Sequence, residues 1–197
     1  MVKRMIAPVL ICLSLLSHGQ LNKTSSNARL LKANLSFTQS CMLNNSNKNV
    51  YLSGNLEYYT SAKFSLRGDC FWYLDSRQSN PIFKQNAIVL FGPVFHLPKG
   101  KSDFYAGIQP GLSYTKPTDN LSLDYSYPSR LLPAFSILAG YTFYFSKFCN
   151  FFIGANYLAS RYRGAEGGSI NLDEFMISGG LGFHLRTSKS SENKSKN

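Results

Sequence analysis

The chain has 197 residues, the size of one domain, and a formal net charge of +11. Charged residues make up 16% of it, well below the roughly 25% of ordinary soluble domains, while 12 Tyr, 15 Phe and 1 Trp favour strands. That balance argues against a domain with water on every side and fits one that shows an apolar face to lipid.

Lys3 and Arg4 precede an apolar run at 5–16. Ser17 and Gly19 then place small residues at the two positions a signal peptidase reads, so residues 1–19 are predicted to be a signal peptide cleaved before Gln20. The run is shorter than the about 20 apolar residues that a membrane-spanning helix needs, and no later stretch approaches that length. Cys12 lies inside the run behind Ile11, which is too bulky for lipoprotein cleavage. Residues 20–32 are expected to form a periplasmic N-terminal segment. Cys41, Cys70 and Cys149 are odd in number and match no metal-ligand spacing, so they are read as small apolar wall residues.

Over residues 33–186 apolar and small polar side chains alternate with period two, the mark of strands with two unlike faces. The first segment sets Leu35, Phe37, Cys41 and Leu43 against Asn34, Ser36, Thr38 and Ser40. Segment 50–59 opposes Leu52, Leu56 and Tyr58 to Ser53, Asn55 and Glu57, and 63–74 opposes Phe64, Leu66, Cys70 and Trp72 to Ser65, Arg67 and Asp69. Segment 87–97 is apolar on both faces, which leaves its register open. Segment 103–114 opposes Phe104, Ala106, Ile108 and Leu112 to Gly107, Gln109, Gly111 and Ser113. Segment 132–146 alternates Phe135, Ile137, Ala139, Tyr141, Phe143 and Phe145 with Ala134, Ser136, Leu138, Gly140, Thr142 and Tyr144. Segment 151–159 and a last one carrying Phe175, Ile177, Leu181, Phe183 and Leu185 bring the number to eight.

The connections 60–62, 98–102 and 147–150 are short, whereas 44–49, 75–86, 116–130 and 163–171 are mostly longer and polar. Short periplasmic turns, long outer loops and an even strand number describe an outer-membrane barrel. The fold class expected is all-β, an eight-stranded antiparallel transmembrane β-barrel with up-and-down meander topology over 33–186. An open sheet this apolar would leave edges that lipid cannot satisfy, and closure removes them. Pro93, Pro110 and Pro133 cannot donate to a ladder and are expected at bulges. Tyr58, Trp72, Tyr114, Phe143 and Phe145 are read as belts at the membrane interfaces.

At 178–185 the sequence resembles the assembly signal of outer-membrane proteins. Ser178, Gly180, Phe183 and Leu185 fill its places: a polar residue, a glycine two later, and hydrophobic residues five and seven later. Together with the hairpin around 56–68, this makes the chain similar to the outer-membrane β-barrel domain family of small OmpA-like and OmpX-like proteins. The resemblance implies an outer-membrane location, outer-membrane lipid around the barrel and insertion by the barrel-assembly machinery. It implies no single activity. The residues 187–197 depart from it as a polar tail, expected to be disordered and periplasmic and too short for a peptidoglycan-binding domain.

Glu57, Lys63, Arg67 and Asp69 share the polar face of adjacent strands and are expected to form a charge network in the lumen, because a lone charge there is costly. His96 and His184 fall near periplasmic strand ends, with no His-x-Ser pair near the outer rim, so neither a catalytic residue nor a cofactor or metal ligand is assigned. Basic residues gather on the periplasmic side. Lys99, Lys101, Lys189, Lys194 and Lys196 form a candidate collar for inner-leaflet headgroups or an acidic partner, with Lys32 and Asp103 also placed on that side. In an exported protein this basic balance does not signal nucleic-acid binding. The function expected is an integral outer-membrane barrel with a structural or interaction role, neither a large pore nor an enzyme. The alternatives are surface adhesion or binding through 75–86 and 116–130, and an accessory role in an outer-membrane secretion or assembly complex through the periplasmic side. A lipid A-modifying enzyme ranks last.

Overall fold

The computed structural model describes residues 29–44, 47–77, 80–118, 127–165 and 168–186. The signal segment, residues 20–28, the centre of the 116–130 loop and the tail 187–197 lie outside the described residues. The strands are β1 (Leu30–Met42), β2 (Lys48–Tyr59), β3 (Phe64–Ser76), β4 (Phe83–Lys99), β5 (Ser102–Pro117), β6 (Arg130–Tyr144), β7 (Cys149–Ala165), β8 (Gly168–Asn171) and β9 (Glu174–Arg186). β1 to β7 pair antiparallel with their chain neighbours, β7 pairs with β9, and β9 pairs with β1. The eight long strands thus close into a meander barrel. β8 is a four-residue strand folded back on the end of β7.

Three sequence expectations need correction. The first strand starts at Leu30, not Ala33, because Leu30 to Lys32 still find partners in β9, Leu30 opposite Arg186. The span 163–171 is not a plain loop, since β7 runs to Ala165 and β8 pairs Asn171 with Arg161. The prolines sit without bulges. The β4–β5 ladder is interrupted between Leu90↔Gly111 and Val94↔Gly107 but resumes in the same register, so Pro93 and Pro110 occupy a gap and not a slip. The two strands press together there. A Cβ on Gly92 would clash with the Ile108 carbonyl oxygen, and one on Gly111 with that of Val89, which is why both positions need glycine.

The register of β4 is settled as well: Ile88, Leu90, Val94 and His96 are buried, while Val89, Phe91, Phe95 and Leu97 are exposed. Between β4 and β5 the chain turns through Gly100 and Lys101, with Gly100 at φ +65°. A glycine with positive φ at the first of two loop positions is the type II′ pattern that suits hairpin twist.

Every long strand shows a series of large apolar residues on its outer face. Phe37 is 69% exposed and Phe183 67%. On β9 the outward series reads Phe175, Ile177, Gly179, Leu181, Phe183 and Leu185, without a charge. Inward positions mix Asn, Ser, Thr and ionisable groups with apolar clusters such as Ile88, Leu90 and Leu158. This polarity is inside-out for water and right for lipid. Trp72 and Tyr114 flank Ala87 in one row near the long-loop end. Phe64–Phe95 and Phe104–Tyr141 ring contacts, at 5.3 and 4.9 Å between centroids, band the opposite end. Tyr58 and Phe143 are exposed, while Phe145 is half-buried. Cys41 and Cys70 face outward and Cys149 is partly buried, all three unbridged.

The exposed face makes a direct prediction. Phe37→Arg in mid-wall should cost about 2–4 kcal/mol and Leu97→Arg, at the edge of the belt, only about 0–1 kcal/mol. Reversible urea unfolding in lipid vesicles reads both, and equal small costs would contradict a lipid-facing wall.

Candidate functional site

Strand alternation delivers ionisable groups from six strands to the lumen, where they form three stacked layers. The layer nearest the short turns centres on Glu57. Lys32 and Glu57 are direct cross-strand partners, and their charged atoms meet at 2.5 Å, both side chains fully buried. The Tyr59 and Tyr105 rings lie 5.5 and 5.4 Å from the ammonium nitrogen, a placement that favours a cation. The other oxygen of Glu57 accepts from the Ser65 hydroxyl at 2.6 Å and lies 2.9 Å from His96 Nε2. His96 Nδ1 lies 2.9 Å from Asp103 Oδ2, which also accepts from the Tyr59 hydroxyl at 2.9 Å. A carboxylate at each ring nitrogen suits the imidazolium, which donates from both. In that form Lys32 and His96 balance Glu57 and Asp103.

The middle layer is Arg67 and Asp69, two residues apart on β3. They form a bidentate pair, Nε to Oδ2 at 2.9 Å and Nη2 to Oδ1 at 2.8 Å. Gln109 Nε2 donates to Asp69 at 2.6 Å and to the Arg67 carbonyl at 3.1 Å. Tyr105, with its ring centroid 5.2 Å from the Arg67 guanidinium carbon, separates this layer from the one below.

The third layer, toward the long loops, holds Glu174. It accepts from Ser40, from the Tyr51 hydroxyl at 2.8 Å and from Asn49 at 3.4 Å. Asn86 joins it by donating to Tyr51 at 3.1 Å. Above lies an apolar cap of Met42, Phe83, Leu132, Tyr162 and Leu172. At the opposite mouth, Leu30, Tyr59 and Tyr144 pack together.

Of the four residues expected in the lumen network, Glu57, Arg67 and Asp69 are buried there. Lys63 is not: it lies exposed in the turn after β2, because the alternation that would send it inward ends with the ladder at Phe64. Lys32 supplies the cation instead, and Asp103 also leaves the periplasmic collar for the lumen. Lys99 and Lys101 are exposed at their turn, whereas Lys189, Lys194 and Lys196 lie outside the described residues. Ser178, Gly180, Phe183 and Leu185 are all on β9, with Phe183 and Leu185 facing out.

The sequence places His96 and Asp103 only as strand-end residues on the periplasmic side; it does not bring them together with Ser65. Ser65 Oγ is 2.8 Å from His96 Nε2, the spacing of a nucleophile and its base. A buried location removes its use. His96 and Asp103 are wholly enclosed, Ser65 is 2% exposed, and the Ser65 proton is directed to Glu57. The geometry ties neighbouring strands together, with all three side chains buried.

Breaking a buried pair leaves an uncompensated charge, at a cost of about 3–5 kcal/mol. Lys32→Met should cost that much in vesicle unfolding, and adding Glu57→Gln should recover a good part of it. Strictly additive losses would show that the two charges do not interact.

No family model matches the sequence, and no curated protein matches it. Solved structures match the fold. The Pseudomonas aeruginosa outer membrane protein OprG superposes with a TM-score of 0.60 at 10% identity, over 81% of this chain and 97% of that one. Neisserial surface protein A gives 0.58 at 13% identity, over 83% and 99%. Ail, the attachment invasion locus protein of Yersinia pestis, gives 0.52 at 14% identity, over 80% and 99%. At these identities the likeness is one of fold. With its apolar exterior and its polar groups sealed inside, the chain is a small eight-stranded transmembrane barrel of the outer-membrane kind, and its location is the outer membrane.

Proposed function

We propose that the chain is a plugged outer-membrane barrel with a structural and interaction role, acting through its two rims and conducting no solute. The observation that carries this reading is the filled lumen: three polar layers interleaved with Tyr51, Tyr59, Tyr105 and Leu138, under an apolar cap. An eight-stranded barrel is only wide enough for its own side chains, whereas open porins use about 16–18 strands. Pure monomer in planar bilayers should give no porin-sized conductance steps. Reproducible steps of that size would overturn the proposal.

A second reading, binding at the cell surface, draws on the long-loop side. There β4 to β7 run to 15–17 residues and Lys84, Lys116, Arg130, Arg161 and Arg163 gather near the rim. Ail has been solved with the heparin analogue sucrose octasulfate, and an anionic glycan is a ligand class such a rim would suit. An accessory role at the periplasmic side would rest on the collar of Lys99 and Lys101, extended by Lys189, Lys194 and Lys196 and facing inner-leaflet headgroups or an acidic partner.

Insertion by the barrel-assembly machinery is proposed to use Ser178, Gly180, Phe183 and Leu185. Phe183→Asp with Leu185→Asp should abolish outer-membrane accumulation and crosslinking to that machinery. The matched pair Phe175→Asp with Ile177→Asp, on the same strand and face, should destabilise the barrel yet keep the crosslink. Equal crosslinking of both pairs would refute the assignment.

A further inference from the structure

The barrel wall opens between β6 and β7 at the long-loop end. The two strands pair from Tyr144↔Asn150 to Ala134↔Ser160, and beyond that row they part. β6 continues against β5 alone, as far as Thr115↔Arg130, while β7 turns to β8, with Arg161 opposite Asn171 and Arg163 opposite Ser169. Pro133 marks the parting. Its carbonyl faces β7, where the Ser160 hydroxyl donates to it at 3.2 Å. In an antiparallel strand a residue's N–H and C=O face the same neighbour, so the donor that proline lacks is the one β7 would have used.

The parted strands enclose a cleft of about 440 Å³, lined by Arg130, Leu131, Leu132, Pro133, Arg161 and Arg163. On β7 the outward series runs Phe151, Ile153, Ala155, Tyr157 and Ala159 before reaching Arg161 and Arg163, so both arginines stand directly above the lipid-facing belt. Leu131, 63% exposed, carries the apolar wall up to the same level on β6. Arg130 lies over the Tyr162 ring, 5.7 Å from guanidinium carbon to centroid. Among the described residues none of the three arginines is ion-paired. Asp173, beside the cleft, is engaged by the Ser160 N–H and the Tyr157 hydroxyl.

We infer that this cleft binds the phosphorylated head of an outer-leaflet glycolipid of the lipid A type, an inference that rests on the outer-membrane location and goes beyond a structural role. The guanidinium fork matches phosphate geometry, and three forks around one opening suit a head carrying more than one negative charge. A soluble anion would use the arginines alone. Leu131 and Pro133, running from the cleft into the belt, add a track for an acyl chain, and that pairing of charge with apolar wall is the signature of a lipid ligand.

Native mass spectrometry of the refolded barrel in detergent, titrated at low salt, tests this with bisphosphoryl lipid A, with dephosphorylated lipid A and with heparin. One bisphosphoryl lipid A should be retained per barrel, and the dephosphorylated form should bind much more weakly. Each basic residue at an anionic lipid surface contributes roughly fivefold, so Arg130→Gln, Arg161→Gln and Arg163→Gln together should weaken binding on the order of a hundredfold. Lys63→Gln, exposed in a turn at the opposite rim, should bind as the parent does. Pro133→Ala keeps all three arginines but restores the missing donor, and it should weaken binding by letting the seam close. Unchanged binding in the arginine variant or in Pro133→Ala would overturn the inference, as would indifference to the phosphates or capture of heparin alone. Heat-modifiable gel migration of each variant reports the folded barrel separately. Its absence from the parent protein would overturn the membrane reading itself.

Discussion

Lipid offers no partner to a backbone N–H or C=O, and pairing β1 with β9 is what lets the whole wall stand in it. From Leu30↔Arg186 to Met42↔Glu174 that ladder runs unbroken across thirteen rows. Closure fixes everything else. Once the sheet is a cylinder, the alternation along each strand sorts side chains into lipid and lumen with no third option. A charge written into the wrong parity would face hydrocarbon, and one of the right parity meets other charges from neighbouring strands. The lumen network is therefore a consequence of the wall, and Lys32–Glu57, a direct cross-strand pair, shows the link in its simplest form.

The same sorting explains what the layers can do. Isolated ions at this depth would be expensive, so each finds a counter-ion or several hydrogen bonds: Lys32 and His96 around Glu57 and Asp103, Arg67 on Asp69, Glu174 among hydroxyls and amides. Each arrangement ties strands that are not neighbours. Glu174 of β9 reaches Tyr51 of β2, and Asp103 of β5 reaches Tyr59 of β2. Such cross-lumen bonds brace the cylinder against flattening and occupy the space a solute would need. The geometry at Ser65, His96 and Asp103 arises here from the packing of polar groups, all of them buried in the lumen.

Most of the wall could be read from period two because one face of each strand is nearly free of charge. β6 and β9 show this best. Legibility failed where parity was ambiguous or where a strand ended. The inward position of His96 is obscured because its segment is apolar on both faces, although it shares parity with Val94. Lys32 and Asp103 lie at strand ends, where a charge is ordinarily a solvated flank, yet each continues the inward parity of its strand, Lys32 with Asn34 and Ser36, Asp103 with Tyr105. Lys63 has the opposite history. Its parity pointed inward, but the ladder had already given way to the turn. Contacts across the lumen join residues as far apart as Tyr51 and Glu174, and no local pattern encodes such a distance.

The opening at the β6–β7 seam is consistent with the closure it interrupts. Below Ala134↔Ser160 a missing donor would leave a carbonyl facing hydrocarbon, which lipid cannot satisfy. Pro93 and Pro110 occur at that depth, and there the chain answers with glycines and close backbone approach. Pro133 sits one row above, at the end of the apolar series, where headgroups and water can satisfy whatever the ladder leaves over. Ser160 covers the nearest carbonyl, and β8 takes up the free edge of β7. A barrel can thus afford an open seam only at headgroup level, which is also where arginines are stable and where phosphates lie. The position of the cleft and the chemistry of its lining follow from one constraint.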